Sequence, residues 1–371
     1  MKRRMTMKKN RYEMITMYMG NSCNFNCKYC SEAGSNSGNF GISKETLPYF
    51  KENLNKILKQ NPINTLQFFG GEPMMYYDEM MEIARYTKEV NPEVNFTMIT
   101  NGSLIDMKRA KELLELDFGI SISHDGPYQE IQRDRDFLKT NPEPFQYYIE
   151  YDHLTRMSFG STLSYPNYDY LAVYEYFEDW RIQNGMKIKP RVICELAHGC
   201  LDRVDIRKEN EEAYYDRWCT TLDQVMKNLV DGVKKNDFMT YEYRQYYHLL
   251  NQGVGFMETD GKAILRCGQG KNRVSIDHKG DVYACHNVAL EKDYYRGNLF
   301  KDNLKDWDYE RYMRVHRCDD CEARIFCNCV CPLITVPEQQ ESYCKYKKAE
   351  YTRLLGALGE IAPFFINEGG K

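Results

Sequence analysis

The distribution of cysteine constrains this chain more than any other feature of its sequence. Of 14 cysteines in 371 residues, three lie between Cys23 and Cys30 and eight lie between Cys267 and Cys344. Disulfide-rich chains are usually short and secreted, whereas cytosolic thiols stay reduced and ligate metals. We therefore expect two metal-bearing regions. From Gly261 on the hydrophobic periodicity fails, so we expect that segment to be organised around metal rather than around an apolar core.

Between the two cysteine-rich regions, short apolar runs alternate with longer segments that are polar on one face. Strands are predicted at 13–19, 65–69, 95–100, 118–123, 158–164 and 187–195. Helices are predicted after them at 44–59, 77–89, 107–116, 129–138, 168–184 and 209–228. Six strands that each lead into a helix predict an α/β fold, a partial (β/α)6 TIM-like barrel with reactive groups at the carboxyl ends of its strands.

Composition narrows the class of partner. The formal net charge is -4, the pI is near 6.1, and no basic run is longer than Lys2-Arg3-Arg4, so nucleic acid is not expected as a partner. No apolar run approaches membrane-spanning length, and no signal-peptide core precedes Cys23. We expect a cytoplasmic protein that does not bind membranes.

Three cysteines follow the first predicted strand with the spacing Cys23-x3-Cys27-x2-Cys30. Iron–sulfur clusters normally take four cysteines, so three thiolates on one loop leave one iron free to bind a substrate or cofactor. An open position of this kind distinguishes catalytic from structural metal sites. A zinc knuckle or an incidental group of thiols is the alternative that this spacing alone leaves open.

With Tyr29 just before the third cysteine, the loop resembles the signature loop of the radical S-adenosylmethionine (SAM) superfamily. In that family the amino and carboxylate groups of SAM chelate the open iron, and electron transfer splits SAM into methionine and a 5'-deoxyadenosyl radical. The next predicted strand ends in Gly70-Gly71-Glu72-Pro73, and the resemblance implies that this turn binds the SAM ammonium. Taken alone, it would be an ordinary strand-to-helix turn.

The third and fourth predicted strands end in weaker matches to the same family. Thr100-Asn101-Gly102 closes the third, which makes Asn101 a candidate cofactor contact, and Ser123-His124-Asp125-Gly126-Pro127 closes the fourth. In peptide-modifying radical SAM enzymes, a Ser two residues before Asp-Gly and a later Arg contact the ribose and carboxylate of SAM. Ser123 and Arg135 match those positions, although a capped loop and a solvated charge explain them equally well.

The C-terminal cysteines reproduce the ligand pattern of the domain called SPASM: Cys267-x12-Gly280-x4-Cys285, then Cys318-x2-Cys321-x5-Cys327-x3-Cys331, then Cys344. The resemblance spans about 13–344 and implies two auxiliary four-iron clusters, hence three [4Fe-4S] clusters with SAM. The family pattern assigns Cys267, Cys285 and Cys331 to the first auxiliary cluster, and Cys318, Cys321, Cys327 and Cys344 to the second. No cysteine lies between 268 and 284, so the first has an open iron unless the additional Cys329 supplies a ligand.

His286 directly follows Cys285, where the anaerobic sulfatase-maturating enzymes place an Asp that acts as the catalytic base. An imidazole can serve as a base, but this departure from the family pattern equally favours a hydrogen-bond donor to the cluster. His286 is therefore the candidate catalytic residue, and its role stays open. Cys194, Cys200 and Cys219 match no pattern and are expected to be small buried hydrophobes.

Together these motifs resemble anaerobic sulfatase-maturating enzymes and radical SAM maturases of ribosomally made peptides. The resemblance implies an oxidoreductase that modifies a peptide or protein by hydrogen-atom abstraction and takes electrons from a flavodoxin or ferredoxin. A radical SAM enzyme for a small metabolite and a non-catalytic iron–sulfur carrier are the alternatives. The expected domains are a radical SAM barrel at 13–230, a helical linker at 231–260, SPASM at 261–345 and a C-terminal helix and tail at 346–371.

Overall fold

The computed structural model describes residues 12–30, 40–60, 63–151, 156–164, 167–196, 211–247, 249, 273–301, 304–305, 321, 323–327 and 337–368. Within this part of the chain, strands alternate with helices. The strands are β1 Met14–Tyr18, β2 Thr65–Phe69, β3 Asn95–Thr100, β4 Phe118–Ser123, β5 Met157–Leu163, β6 Arg191–Leu196, β7 Arg273–Ile276, β8 Asp281–Tyr283 and β9 Tyr295–Asn298. They follow one another in the sheet in the order β6-β5-β4-β3-β2-β1-β7-β8-β9.

The helices lie mostly between the strands. They are α1 Leu47–Gln60, α2 Tyr77–Val90, α3 Met107–Glu115, α4 Gln129–Arg133, α5 Phe137–Thr140, α6 Glu143–Tyr151, α7 Tyr170–Gln183, α8 Glu211–Lys234, α9 Arg324–Cys327 and α10 Pro337–Glu368. Residues 241–247 are also helical. Short 3-10 helices at Pro73–Tyr76, Gly126–Tyr128 and His286–Val288 begin just after strands or their connecting turns.

The predicted fold class is confirmed: β1 to β6 run in chain order across a mostly parallel sheet, with at least one helix in each connection. Four features differ from the sequence-based expectation. The connection from β4 to β5 carries α6 as well as the short helices, and β6 starts at Arg191, directly after Pro190, because proline cannot donate to a strand ladder. The long final helix starts at Pro337.

The fourth difference is that three strands occur beyond Gly261, where the sequence showed no periodicity. β7 pairs in parallel with β1, with Met14 opposite Arg273, and then continues antiparallel into β8 and β9. β7 has four residues and only two apolar ones, Val274 and Ile276, which are both buried. A run this short carries too little alternation to be recognised as a strand.

The chain forms two compact units, whose residues fall within Met1–Asn24, Glu32–Ser121 and Cys267–Trp307 for the first, and Phe25–Ser31, Ile122–Arg266 and Asp308–Lys371 for the second. In the first unit the sheet packs through the rings of Phe68, Phe96 and Phe118, with ring centroids 5.2 to 6.3 Å apart. On α1, the buried residues Leu47, Phe50, Leu54 and Leu58 follow helical spacing, so one face of this helix enters the core.

In the second unit, β5 and β6 pair in parallel and α7 packs on them through Phe159 and Phe177, whose ring centroids are 4.5 Å apart. β6 is the last strand at one edge of the sheet, and the helical residues 241–247 cover this edge. Gln245 donates to the Cys194 carbonyl and accepts from the Cys194 amide, both at 2.8 Å. These bonds satisfy backbone groups that an open sheet edge would leave unpaired.

A buried carboxylate links α10 to the rest of the second unit. Glu350 accepts hydrogen bonds from the hydroxyls of Tyr170 and Tyr246 at 3.0 and 3.1 Å, and Lys347 donates to its other oxygen at 2.8 Å. Because burying a charge is costly unless it is paired and hydrogen-bonded, this network fixes the position of the helix. Among the described residues, no helix combines the length and hydropathy that crossing a membrane requires.

Candidate active site

The first unit holds the Gly-Gly-Glu-Pro turn tightly against the loop that follows β1, residues 19–30, here called the cysteine loop. The amide of Gly71 donates to the Gly20 carbonyl at 2.9 Å, and the amide of Glu72 donates to the Ser22 carbonyl at 2.8 Å. A Cβ atom on Gly70 would lie 2.5 Å from the Gly20 oxygen, and one on Gly71 would lie 2.5 Å from the Ser22 oxygen. The glycines are therefore required for contact with the cysteine loop itself.

Gly70 has a second reason to be glycine, because its φ of 145° lies in a region that L side chains rarely adopt. Pro73 is buried and is the first residue of the 3-10 helix. Proline has no backbone N–H, so no donor is left unpaired at this first helical position. Together these residues set the path of the chain between β2 and α2.

Glu72 is buried, with 1% of its surface exposed, and its carboxylate joins the end of β2 to the end of β3. One oxygen accepts from the Met74 amide at 2.9 Å and from the Thr100 hydroxyl at 2.6 Å, and the other accepts from the Asn101 amide at 2.7 Å. Burial raises the pKa of Glu72 to about 7, although all three donors favour the ionised form. Both oxygens already have donors, which makes Glu72 an organiser of the two turns.

Asn101 connects these turns to the first cysteine. Its side-chain nitrogen lies 4.0 Å from the Cys23 sulfur and 2.8 Å from the Asn24 side-chain oxygen. Its own side-chain oxygen accepts from the amide and hydroxyl of Ser103 at 3.0 and 2.7 Å, which fixes the amide group in one orientation. The Thr-Asn-Gly sequence after β3 thus supplies an N–H donor directed at a cysteine sulfur.

In the second unit, backbone bonds hold the part of the cysteine loop that carries Cys27 and Cys30. The amide of Lys28 donates to the Gln132 carbonyl at 2.9 Å, and the amide of Asn26 donates to the Asp134 carboxylate at 3.3 Å. Cys30 donates its amide to the Cys27 carbonyl at 3.1 Å, which closes a turn around Tyr29. The end of α4 therefore positions the second and third cysteines.

A cluster of buried polar groups surrounds Tyr29. Its hydroxyl donates to the Asp125 carboxylate, which is fully buried and also accepts from Arg133 at 2.9 Å and from the Thr162 amide at 2.9 Å. Burial, together with Asp125 and Cys27, raises the pKa of Tyr29 well above its usual value even though Arg133 opposes that shift. Arg133 also places a terminal nitrogen 3.8 Å from the Cys27 sulfur.

Sequence reasoning missed Asp125 and Arg133 as members of the site. Arg133 stands eight residues after Asp125, two residues before the Arg135 that the family spacing selected. Arg135 is exposed, and its guanidinium lies 4.9 Å from the centre of the Phe25 ring. Ser123 is half-buried at the end of β4. The available signal was an Asp just after a predicted strand and an Arg on the predicted helix at 129–138.

His124 fixes the Asp125-Gly126 turn through both of its ring nitrogens. Its Nδ1 accepts from the Gly126 amide at 3.1 Å, and its Nε2 lies 2.9 Å from an Asp136 oxygen. Burial lowers the pKa of His124, although Asp136 opposes the shift. Because Nδ1 accepts from an amide, the neutral ring carries its proton on Nε2 and donates it to Asp136.

His286 lies in the first unit, at the start of the 3-10 helix that follows β8 and Cys285. Its ring packs on Phe69, the last residue of β2, with centroids 4.4 Å apart. Phe69 is adjacent to Gly70 in sequence, so His286 lies beside the Gly-Gly-Glu-Pro turn. The catalytic role of His286 stays a prediction.

Four of the cysteines assigned to auxiliary clusters are described: Cys285, Cys321, Cys327 and Cys344, all half-buried and outside any disulfide. Cys327 ends α9 and Cys344 lies on α10, and Phe326 packs on Tyr351 between these helices with ring centroids 5.8 Å apart. Cys267, Cys318, Cys329 and Cys331 lie outside the described residues, as does Cys200. Cys194 is buried, as expected, and Cys219 is half-buried on α8.

The cysteine loop suits an iron–sulfur cluster in its donor chemistry. Cys23, Cys27 and Cys30 are half-buried and outside any disulfide, and N–H donors from Asn101 and Arg133 face two of their sulfurs. Hydrogen bonds to sulfur and partial burial are the means by which proteins tune such clusters. Within the described residues, no three His, Cys, Asp or Glu side chains lie close enough to hold one metal ion; a four-iron cluster holds its cysteines farther apart.

Comparison with known proteins agrees with these observations. Residues 17–150 match the family model described as the radical SAM superfamily. This part of the chain resembles a radical SAM domain. It includes the cysteine loop, the Gly-Gly-Glu-Pro turn and the Asp125–Arg133 pair.

Relatives extend the similarity over most of the chain. The radical SAM cyclopropyl synthase TigE of Paramaledivibacter caminithermalis is 21% identical over 348 residues, which are 85% of this chain and 67% of that protein. A cysteine-type anaerobic sulfatase-maturating enzyme of Clostridium perfringens is 28% identical over 347 residues, which are 83% of this chain and 85% of that enzyme. The recognition of the family from its motifs is confirmed.

A solved structure shows the same fold. Native anSMEcpe with bound AdoMet superposes with a TM-score of 0.68 at 17% identity, covering 94% of this chain and 99% of that chain. The same protein with bound AdoMet and the Cp18Cys peptide gives a TM-score of 0.66. A radical SAM domain implies an enzyme that uses SAM and one [4Fe-4S] cluster. The kind of substrate and the two auxiliary clusters belong to the proposal that follows.

Proposed function

We propose that this chain is a radical SAM enzyme with a SPASM domain that modifies a peptide or protein by hydrogen-atom abstraction. The cluster at Cys23, Cys27 and Cys30, when bound with SAM, supplies a 5'-deoxyadenosyl radical that takes the hydrogen atom. Oxidation, cross-linking and thioether formation are the outcomes within this reaction class. The proposal keeps the domain limits 13–230, 231–260, 261–345 and 346–371, and a flavodoxin or ferredoxin as electron donor.

The observation that carries the proposal is the physical connection between the motifs in the first unit. The Gly-Gly-Glu-Pro turn bonds to the backbone of the cysteine loop, Glu72 bonds to the turn after β3, and Asn101 in that turn reaches the Cys23 sulfur. An electron carrier requires only that cysteines hold a cluster. A second turn organised beside the cysteines is what an enzyme with a bound cosubstrate requires.

Each part of this arrangement has a distinct task in the proposal. The turn Gly70–Pro73 would receive the ammonium group of SAM, and Ser123 and Arg135 would contact its ribose and carboxylate. Tyr29, held by Asp125, would border the same ligand. Glu72, whose carboxylate accepts three hydrogen bonds from the protein, would order this turn beside SAM.

A peptide or protein substrate is favoured over a small metabolite because the chain aligns with a sulfatase-maturating enzyme over 83% of its length and shares the fold of anSMEcpe, which has been solved with a bound peptide. His286 is the candidate for a group that acts on the substrate, since it lies beside Phe69 at the end of β2. A donor to the auxiliary cluster at Cys285 is the competing role for this imidazole.

The test of the radical SAM assignment is anaerobic reconstitution of the full chain with iron and sulfide. We expect close to three four-iron clusters and reductive cleavage of SAM to 5'-deoxyadenosine. Changing Cys23, Cys27 and Cys30 together to Ala should remove one cluster and abolish cleavage, while the clusters at the C-terminal cysteines remain. Zinc in place of iron, or cleavage that persists in the triple variant, would overturn the assignment.

The substrate class is tested separately. Deuterium transferred from a candidate peptide into 5'-deoxyadenosine identifies a peptide substrate, and transfer from a small metabolite but from no peptide contradicts this part of the proposal. A further prediction concerns the first auxiliary cluster, which we propose has an iron open to a substrate or protein donor. An experimental structure with four cysteine ligands, Cys329 among them, would contradict the open iron.

A further inference from the structure

The proposed function gives no task to the buried cation Arg133. Arg133 ends α4 with 7% of its surface exposed, and its guanidinium faces three groups. Nε donates to Asp125 at 2.9 Å, one terminal nitrogen donates to the Thr162 hydroxyl at 3.4 Å, and the other lies 3.8 Å from the Cys27 sulfur. The side chain therefore joins a buried carboxylate to a cysteine of the candidate cluster site.

The surroundings of Arg133 fix it in this position. Asp125 is fully buried and receives the Tyr29 hydroxyl on the same oxygen as Arg133, while its other oxygen accepts the Thr162 amide at 2.9 Å. The Arg133 guanidinium also lies 5.0 Å from the centre of the Tyr29 ring, within the range of a cation–π contact. A planar fork that bonds a carboxylate on one side and a sulfur on the other cannot be replaced by the point charge of lysine without losing one contact.

The guanidinium is charged at this site. Arginine is effectively always charged in proteins, and here the buried Asp125 carboxylate pairs with it at 2.9 Å. Asp125 is the nearest compensating charge. The Cys27 sulfur thus lies 3.8 Å from the positive guanidinium of Arg133, which is itself paired with the negative carboxylate of Asp125.

We propose that Arg133 is a positioning residue that donates a charge-assisted hydrogen bond to the Cys27 thiolate and thereby raises the reduction potential of the cluster at Cys23, Cys27 and Cys30, with Asp125 holding it and partly offsetting its charge. Reduction adds one negative charge to the cluster, and a neighbouring cation stabilises that charge. Hydrogen bonds to sulfur and local charge are established determinants of cluster potential. This inference rests on the proposed cluster site.

Two neutral replacements separate electrostatics from packing because they act in opposite directions. Arg133→Gln removes the positive charge and leaves Asp125, so the potential should shift to more negative values. Asp125→Asn leaves the positive charge without its counterion, so the potential should shift to more positive values. Arg133→Lys keeps the charge but loses one of the two contacts, so its shift should have the sign of the Gln variant and be smaller.

The experiment is a mediated redox titration of the anaerobically reconstituted full chain with dithionite, followed by electron paramagnetic resonance. The signal measured is the one that disappears in the Cys23, Cys27 and Cys30 triple-Ala variant, which separates it from other clusters. Arg181→Gln is the matched control, since Arg181 forms a two-pronged ion pair with Glu178 on α7 at 2.7 and 3.0 Å. We expect no shift in this control.

Opposite shifts for the Gln and Asn variants, with the Lys variant intermediate, support the inference. Shifts of the same sign, or wild-type potentials in variants that retain full iron content, overturn it while leaving the proposed function intact. Absence of any signal that depends on the three cysteines overturns the proposed function as well. If Arg133→Gln does not fold, the positive shift in Asp125→Asn and the negative shift in Arg133→Lys still decide the question.

Discussion

Replacement of Gly71 by Ala tests whether the Gly-Gly-Glu-Pro turn is shaped by contact with the cysteine loop. The new Cβ atom would lie 2.5 Å from the Ser22 oxygen and 2.7 Å from the Asn21 oxygen. An ordinary contact starts at 3.4 Å, so the Ser22 carbonyl has to move away by about 0.9 Å. Both neighbours are backbone atoms, so no flexible side chain can relieve the overlap.

The displacement has a calculable cost. Moving the Ser22 carbonyl lengthens its bond from the Glu72 amide from 2.8 Å to about 3.7 Å, which breaks it. A lost hydrogen bond costs about 0.5–1.5 kcal/mol, and overpacking of a tight site costs about 1–3 kcal/mol. We expect Gly71→Ala to lower the free energy of unfolding by about 2–4 kcal/mol and to reduce the iron retained by the cysteine loop.

Urea unfolding of the metal-free chain and iron analysis after anaerobic reconstitution measure the two effects. Gly356→Ala is the matched control, because Gly356 lies on α10 with nothing within 4 Å of the new Cβ atom. Alanine in a helix interior should raise stability there by about 0.5–1 kcal/mol. A Gly71→Ala variant with the stability and iron content of the wild type would refute the contact as the reason for this glycine.

Three further outcomes are expected. Because the pKa of Glu72 is raised from 4.5 to about 7, the contribution of its protonated form to stability is fully present below pH 4.5 and is lost as the pH rises through 7. Relative to Glu72→Gln, the wild type should lose roughly 2–3 kcal/mol of unfolding free energy between pH 5 and 8. A difference between the two proteins that is the same in urea titrations at both pH values would contradict this. His286→Ala should retain 5'-deoxyadenosine formation but should reduce the iron content of the protein. A loss of product of about 10²–10⁴-fold at full iron content would instead identify a catalytic base. Gln245→Ala should lower the free energy of unfolding by about 1–3 kcal/mol and accelerate amide hydrogen exchange at Cys194. Unchanged exchange at Cys194 would show that the edge of β6 does not depend on this side chain.

Most strands and helices were predictable because their signals are local. The predicted strands at 65–69, 95–100 and 118–123 match β2, β3 and β4 residue for residue. Apolar runs of this length, each followed by an amphipathic helix, leave little choice of architecture. The motifs of the site were predictable for a similar reason, since three cysteines and a Gly-Gly-Glu-Pro turn stand at fixed distances after strands.

What each motif residue does in the structure is decided by tertiary contacts. From sequence, the resemblance implies that the turn binds the SAM ammonium; in the fold, the backbone of the cysteine loop requires its glycines. From sequence, Arg135 was the candidate cation, whereas Arg133 is the arginine whose side chain reaches Asp125 and Cys27. Two arginines separated by one residue are indistinguishable until α4 fixes the direction of each side chain.

The same distinction explains the strands beyond Gly261. The sequence alone determined that cysteines dominate this region and that its apolar pattern is weak. Only the fold places β7 beside β1, where Met14 pairs with Arg273 across most of the chain's length. Four residues gain stability as a strand when a neighbouring strand supplies the hydrogen bonds, and the local sequence carries no record of that neighbour.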